Sequence, residues 1–143
     1  MIGVIRIVAI FAVIAFMIAV ILVICRVIAP AMAEKRFFKK VLKEEPSKSI
    51  IMLYKRLVEK DVSVYINTYE MQTPYEFAVK FEKMFGYDIS PFIYLVEKVS
   101  YQNAFINDQD KNEAIRIYLT ARKVIKEYKK NKGSTRSVKR KAQ

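Results

Sequence analysis

The chain has no histidine and no tryptophan, and only one cysteine and three glycines occur among its 143 residues. Without histidine, Ser-His-Asp and Cys-His catalysis are excluded, together with the usual general base near neutral pH and most zinc sites. Three scattered glycines cannot build a loop that cradles phosphate. The composition therefore predicts a protein that is not an enzyme, holds no metal or other cofactor and takes no small-molecule substrate.

Acidic residues are also scarce, with 14 Asp and Glu against 26 Lys and Arg and a formal net charge of +12. The closest group of carboxylates is Asp108, Asp110 and Glu113. We interpret these residues as the cap and the first turn of a helix, where negative charge matches the helix dipole, rather than as a metal site.

One long apolar run stands out near the N-terminus. Residues 7–25 contain no charge, proline or glycine, and 13 of these 19 residues are Ile, Val, Phe or Leu. As a helix the run would span about 28 Å, close to the hydrocarbon core of a bilayer. Its insertion would be favourable by roughly 4–8 kcal/mol. The run predicts a membrane span that includes Ile7, Phe11, Ile14, Ile18, Leu22 and Cys25.

A cleaved signal peptide is the alternative for this run. Ala31 and Ala33 give the A-x-A pattern of a cleavage site, although the run exceeds the usual apolar region and Arg26 separates the two. A lone cysteine forms no intrachain disulfide and does not identify the compartment, so we interpret Cys25 as a small lipid-facing residue. We favour the retained span.

Positive charge is concentrated outside the central part of the chain. Residues 49–128 hold eleven cations and eleven anions, whereas residues 34–48 hold six cations against three anions and residues 129–143 hold seven cations and no acid. The positive-inside rule predicts a cell-membrane protein with its N-terminus outside and its C-terminal domain cytoplasmic. The basic residues just after the span are Lys35, Arg36, Lys39, Lys40 and Lys43.

Helical signals dominate the rest of the chain and no β-sheet is expected. Pro30 predicts a break or kink just past the span, and Ser47 or Ser49 is expected to cap the next helix. Residues 61–72 lack a helical period and predict an irregular connection. The later helices show apolar residues at helical spacing, with a seam in the last helix formed by Ala114, Tyr118, Ala121, Ile125 and Tyr128.

The predicted fold is all-α: one transmembrane helix, a small bundle of about four helices and a disordered basic tail. We expect the anchor over residues 1–29, a basic juxtamembrane segment over 30–48, the helical domain over 49–132 and the tail over 133–143. The tail lacks interleaved aromatic residues and a reading motif, so no specific nucleic-acid binding is predicted. The juxtamembrane helix is expected either to lie on anionic lipid or to pack on the domain.

Two short motifs carry a family resemblance. Tyr54 to Leu57 reads Y-K-R-L, and Thr73, Pro74, Glu76 and Phe77 form a T-P-x-E-F helix start with the pattern of a capping box. With the aromatic stretch around residues 94–101, the pattern over residues 48–130 resembles the C-terminal domain of membrane-bound transglutaminase-like proteins, known as domain of unknown function four-one-two-nine.

The resemblance implies a non-catalytic cytoplasmic domain behind a membrane span, because the family's catalytic core lies elsewhere and needs a histidine. It also implies a transglutaminase-like membrane protein, or a neighbouring AAA-type ATPase system, as partner. We therefore expect a membrane-anchored helical module that docks an unknown protein partner. The alternative is a structural or lipid-surface protein whose basic flanks bind anionic membrane.

Overall fold

The computed structural model describes the backbone of residues 2–67, 73–102 and 104–141, with the side chains of residues 2, 4, 5 and 134–141 left undescribed. All regular secondary structure in these ranges is helical, as predicted, and the chain divides into two compact units, residues 1–43 and 44–143. The helices are α1 (Ile2–Val23), α2 (Ala29–Lys43), α3 (Pro46–Arg56), α4 (Pro74–Phe85), α5 (Ser90–Tyr101) and α6 (Asp108–Lys141), with π-helical turns at Ile24–Ile28 and Leu57–Asp61.

The first unit is one continuous helical rod. Of the two outcomes predicted at Pro30, a break or a kink, the break is wrong because the helix continues through this residue. The π-helical turn Ile24–Ile28 ends two positions before this proline and leads without interruption into α2, which begins at Ala29. Proline lacks an amide hydrogen, and its ring collides with the carbonyl of the residue four positions earlier. The wider turn, in which the Ala29 amide bonds the Ile24 carbonyl, changes the hydrogen-bond register just where that conflict would arise.

The second unit contains the predicted four helices around an apolar core. Helix α3 packs against α5 and α6, and α5 also packs against α4 and α6. The predicted faces are confirmed for α3 and α6, where Ile50, Leu53, Ala114, Tyr118 and Ala121 are fully buried. In α4 the phenylalanines are buried as expected, but Met84 lies at the surface. Aromatic rings supply much of this core, which suits so small a domain.

The start of α3 corrects one prediction. The helix begins at Pro46, with Glu45 at the cap position and no side-chain cap from a serine. Ser49 is instead buried, and its hydroxyl donates to the Glu44 carbonyl at 3.3 Å. The nearly buried Lys111 ammonium donates to the same carbonyl at 2.8 Å, which ties the beginning of this unit to α6.

Local capping signals are confirmed at α4 and α6. The Glu76 amide donates to the Thr73 hydroxyl at 3.2 Å, and α4 ends at Gly86 in the left-handed conformation. At α6, the Asp110 amide donates to the Asn107 side-chain oxygen, and the Asn107 amide donates back to the Asp110 carboxylate. These reciprocal bonds satisfy amide groups that the first turn of a helix leaves without partners.

Two predicted segments coincide with undescribed residues. The irregular connection predicted over residues 61–72 follows the π-helical turn Leu57–Asp61 and contains bends and turns over residues 62–66, but residues 68–72 lie outside the described residues. The backbone of α6 continues through Gly133 to Lys141. The side chains of the predicted basic tail from residue 134 onward also lie outside the described part of the chain.

Candidate functional site

The predicted span is the most exposed apolar surface in the described chain. One helix, Arg6–Lys43, is long and apolar enough to cross a membrane, with a mean hydropathy of 3.5 in its most apolar window and 0% of that window buried. At helical rise its 38 residues extend about 57 Å, roughly twice the hydrocarbon thickness. All the predicted span residues are exposed, namely Ile7, Phe11, Ile14, Ile18, Leu22 and Cys25.

The predicted basic residues follow on the same rod. Within α2, aromatic and aliphatic side chains share the helix with cations, and Phe37 contacts Phe38 edge-to-face at 5.7 Å between ring centroids. Because the cations are exposed, their ammonium and guanidinium groups can reach water or anionic headgroups. These exposed residues are Lys35, Arg36, Lys39, Lys40 and Lys43.

The motif residues behind the family resemblance have structural roles. Thr73 caps α4 and Pro74 occupies its first turn, while Phe77 is buried and meets the Tyr54 ring edge-to-face at 6.0 Å. Leu57 is fully buried. The Tyr54–Phe77 contact joins α3 to α4 inside the bundle, so these motif positions support the fold, while Thr73 and Glu76 lie at the surface.

A partly buried polar cluster lies between the end of α3 and the middle of α6. The Tyr118 hydroxyl donates to the Asp61 carboxylate at 2.8 Å, and the Arg122 guanidinium lies 3.4 Å from the other carboxylate oxygen. The Arg122 guanidinium carbon also lies 5.9 Å from the centre of the Tyr118 ring. This cluster was not predicted from the sequence. Its one local signal is the i, i+4 spacing of Tyr118 and Arg122, because the position of Asp61 depends on the π-helical turn.

Burial dominates the protonation behaviour of this cluster. It raises the pKa of Asp61, against the opposing effects of the Tyr118 hydrogen bond and the Arg56 charge. Burial and then the Asp61 carboxylate raise the pKa of Tyr118, while burial lowers the pKa of Arg122. A tyrosine with a raised pKa is a poor proton donor, and the ion pair shields the carboxylate. The arrangement is therefore suited to holding helices together.

Carboxylates elsewhere also have structural partners. Asp110 caps α6 and lies 3.7 Å from the Lys98 ammonium of α5, while Glu113 accepts a hydrogen bond of 2.9 Å from the Arg116 side chain. Within the described residues, no group of three or more His, Cys, Asp or Glu side chains could hold a metal ion.

A lysine-lined cleft is the feature of the domain surface that sequence reasoning missed. Two neighbouring concavities of about 490 and 460 Å³ share the Tyr65 side chain. One lies beside α4 and the other beside the second half of α6. We call this surface the basic cleft, and its defining residues are Tyr65, Lys80, Lys83, Tyr128, Lys129 and Lys132. Lys129 and Lys132 belong to the basic run 129–143, but Lys80 and Lys83 lie far from it in sequence, so the charge pattern did not indicate that the four lysines share one surface.

No family model, curated protein or solved structure matches the chain. The resemblance to the transglutaminase-associated domain therefore has no support from these comparisons and stays a prediction. The fold is all-α, with one candidate membrane helix and a small helical bundle.

Proposed function

We propose that this protein is a membrane-anchored, non-catalytic helical module that docks a protein partner at the cytoplasmic face of the cell membrane. The observation that carries the proposal is the complete exposure of the apolar window in Arg6–Lys43. Water is a poor solvent for such a surface, whereas a lipid bilayer removes it from water and favours insertion by several kcal/mol.

The second half of the proposal rests on the bundle and its surface. The bundle has a buried apolar core of its own helices and also exposes large apolar side chains, which are available to another protein. Tyr101 and Phe105 are 75% and 86% exposed beside the α5–α6 connection. Large exposed aromatic side chains are the residue type that contributes most to protein–protein interfaces. The family resemblance suggests a transglutaminase-like membrane protein as one partner to test.

Topology is tested with a cysteine-specific label that does not cross membranes. In a Cys25→Ala background, a cysteine replaces the exposed Lys123 of α6. The proposal expects labelling only after the membrane is opened, and expects the protein to stay in the membrane fraction after alkaline extraction. Labelling in intact cells would overturn the cytoplasmic orientation. An intact mass that lacks the first 33 residues would overturn the retained anchor.

Docking is tested by mild-detergent purification of the full chain after crosslinking in cells, with a Tyr101→Ser, Phe105→Ser double variant as comparison. The proposal expects one or more partners at constant ratio to the chain. Recovery of the chain alone under these conditions would contradict it.

The exposed cations of α2 favour a second candidate, a protein that uses its basic flanks to bind anionic lipid. Each cation near an anionic surface contributes about 1 kcal/mol. Flotation with neutral and anionic vesicles separates the two candidates. Deleting residues 129–143 should weaken anionic vesicle binding only if the lipid-binding candidate is correct.

A further inference from the structure

The basic cleft combines an ordered aromatic floor with walls of one charge sign. Tyr65 and Tyr128 form this floor. Their rings meet each other edge-to-face at 5.6 Å between centroids, and the buried Phe85 ring supports them edge-to-face at 5.8 Å from Tyr65 and 5.1 Å from Tyr128. Beneath them Ile66 is buried. Rings that hold each other in place lose little freedom when a ligand arrives, which lowers the entropic cost of binding.

The walls carry four lysines, Lys80 and Lys83 from α4 and Lys129 and Lys132 from α6. The charged residues that line the cleft in the described part of the chain are all lysines. Among described residues, none of the four lies within ion-pair distance of a carboxylate. After Lys132 the sequence adds four cations and no acid up to residue 143, while the segment 68–72 that follows Asn67 carries one acid, Glu70. The local potential is therefore positive and favours an anionic ligand.

The geometry selects among anionic ligands. The edge-to-face packing turns the three rings toward each other, and the Lys132 ammonium lies 5.8 Å from the centre of the Tyr128 ring. Nucleobases bind best on free parallel ring faces, which this arrangement does not offer. A flat bilayer would meet the rims of a concave surface without reaching its floor. An extended peptide can place carboxylates on the lysines and an apolar side chain on the floor.

Apolar contact is available in both halves of the cleft. Met84 lies at the surface beside Lys80 and Lys83, and Val64 is 84% exposed beside Lys129 and Lys132. Methionine adapts its shape to different partners, which is typical of peptide-binding surfaces.

We propose that the basic cleft binds an acidic peptide segment of a protein partner, with an apolar side chain of that segment seated on the aromatic floor. The inference rests on the proposed function, since it names the surface and the partner chemistry of the same docking module. It adds the separate claim that the partner contacts the module at the basic cleft.

The test uses the full chain in nanodiscs of neutral phosphatidylcholine. The probe is a fluorescein-labelled peptide in which pairs of glutamates alternate with phenylalanine and leucine, and binding is followed by anisotropy. The Lys80→Glu, Lys83→Glu double variant should weaken binding by about tenfold. The Lys55→Glu, Lys123→Glu double variant changes the net charge equally at exposed positions outside the cleft, and should weaken binding by about twofold or less.

Two further measurements separate the acidic and the apolar halves of the claim. Replacing the glutamates of the probe by glutamine should abolish binding, because the lysines then lack carboxylate partners. Val64→Ser should weaken binding by about two- to threefold, since it removes exposed apolar contact without changing charge. Circular dichroism and the thermal midpoint show whether each variant remains folded.

Three outcomes would overturn the proposal. Equal losses in the two double variants would reduce binding to net charge. Loss of peptide binding in nanodiscs that contain anionic phosphatidylserine would assign the cleft to lipid. Tighter binding of a fluorescent oligothymidine that depends on Lys80 and Lys83 would assign it to nucleic acid. If the Lys80→Glu, Lys83→Glu variant keeps its crosslinked cellular partner while the peptide test fails, the cleft proposal falls and the docking function stands.

Discussion

The two units use apolar residues in opposite ways. In the rod, Phe11 is 68% exposed, whereas in the bundle Phe81 is fully buried. The α1 part of the rod is apolar around its whole circumference, so no packing within this unit could cover it. The bundle helices have one apolar face each, and four such faces cover one another. The comparison shows that apolar content does not determine burial, and that its angular distribution around the helix does.

The largest expected effect falls on the rod. Replacing both Ile14 and Ile18 by arginine should move the protein out of the alkali-resistant membrane fraction. Each charge at the centre of a span costs about 2.5–3.5 kcal/mol, so two remove most of the roughly 4–8 kcal/mol that favours insertion. The Ile14→Leu, Ile18→Leu variant is the control and should stay in the membrane. Unchanged membrane retention of the arginine variant would show that the rod is not held by lipid.

The next effect falls on the bundle core and directly tests the comparison. Phe81→Ala should lower the free energy of unfolding by about 3–5 kcal/mol, because it leaves a cavity among buried rings. The matched change Phe11→Ala in the rod should alter bundle unfolding by less than about 0.5 kcal/mol. Urea titration in detergent, followed by tyrosine fluorescence, measures both. Similar losses for the two variants would contradict the difference in burial between Phe81 and Phe11.

The polar cluster gives a smaller effect. Tyr118→Phe removes the donor of the 2.8 Å hydrogen bond to Asp61 and should cost about 1–3 kcal/mol at neutral pH. The same urea titration measures it, with the exposed Tyr94→Phe as control. No loss in Tyr118→Phe would mean that Asp61 does not depend on this hydroxyl.

The pH dependence of this cluster has a definite sign. Because burial raises the folded-state pKa of Asp61 above its unfolded value, its contribution to stability is fully present below the unfolded pKa, which is about 4. That contribution is lost as the pH rises through the folded pKa. The free energy of unfolding of the wild type, measured relative to Asp61→Asn, should therefore fall as the pH increases from about 4 upward. A constant difference would show that the pKa is not raised.

The smallest effect concerns two glycines for which substitution by alanine should change stability in opposite directions. Gly86 has a φ of 69° at the end of α4, so Gly86→Ala should cost about 1 kcal/mol even though an added Cβ meets no atom within 4 Å. Gly133 lies within α6 without positive φ, so Gly133→Ala should favour helix by roughly 0.5–1 kcal/mol. Thermal unfolding and helical circular dichroism measure the two changes. If both substitutions stabilised or both destabilised the protein, the difference in backbone conformation between Gly86 and Gly133 would not explain their effects.

The local features were predictable because neighbouring residues encode them. The apolar run, the Thr73 cap, the left-handed Gly86 and the apolar faces of α3 and α6 all follow from spacing within one or two helical turns. The break expected at Pro30 was wrong because a π-helical turn absorbs the proline, and that choice depends on hydrogen-bond register rather than on residue type. The basic tail and the family resemblance stay predictions.

The sequence by itself determined the helical class and the one helix able to cross a membrane, since both depend on patterns within short stretches of chain. Only the tertiary structure decided that Asp61 meets Tyr118 and Arg122, and that lysines from α4 and α6 flank one aromatic floor. Those residues are separated by dozens of positions, and their meeting depends on how the helices pack. Packing angle and helix register are collective properties of the folded bundle, which no single segment specifies.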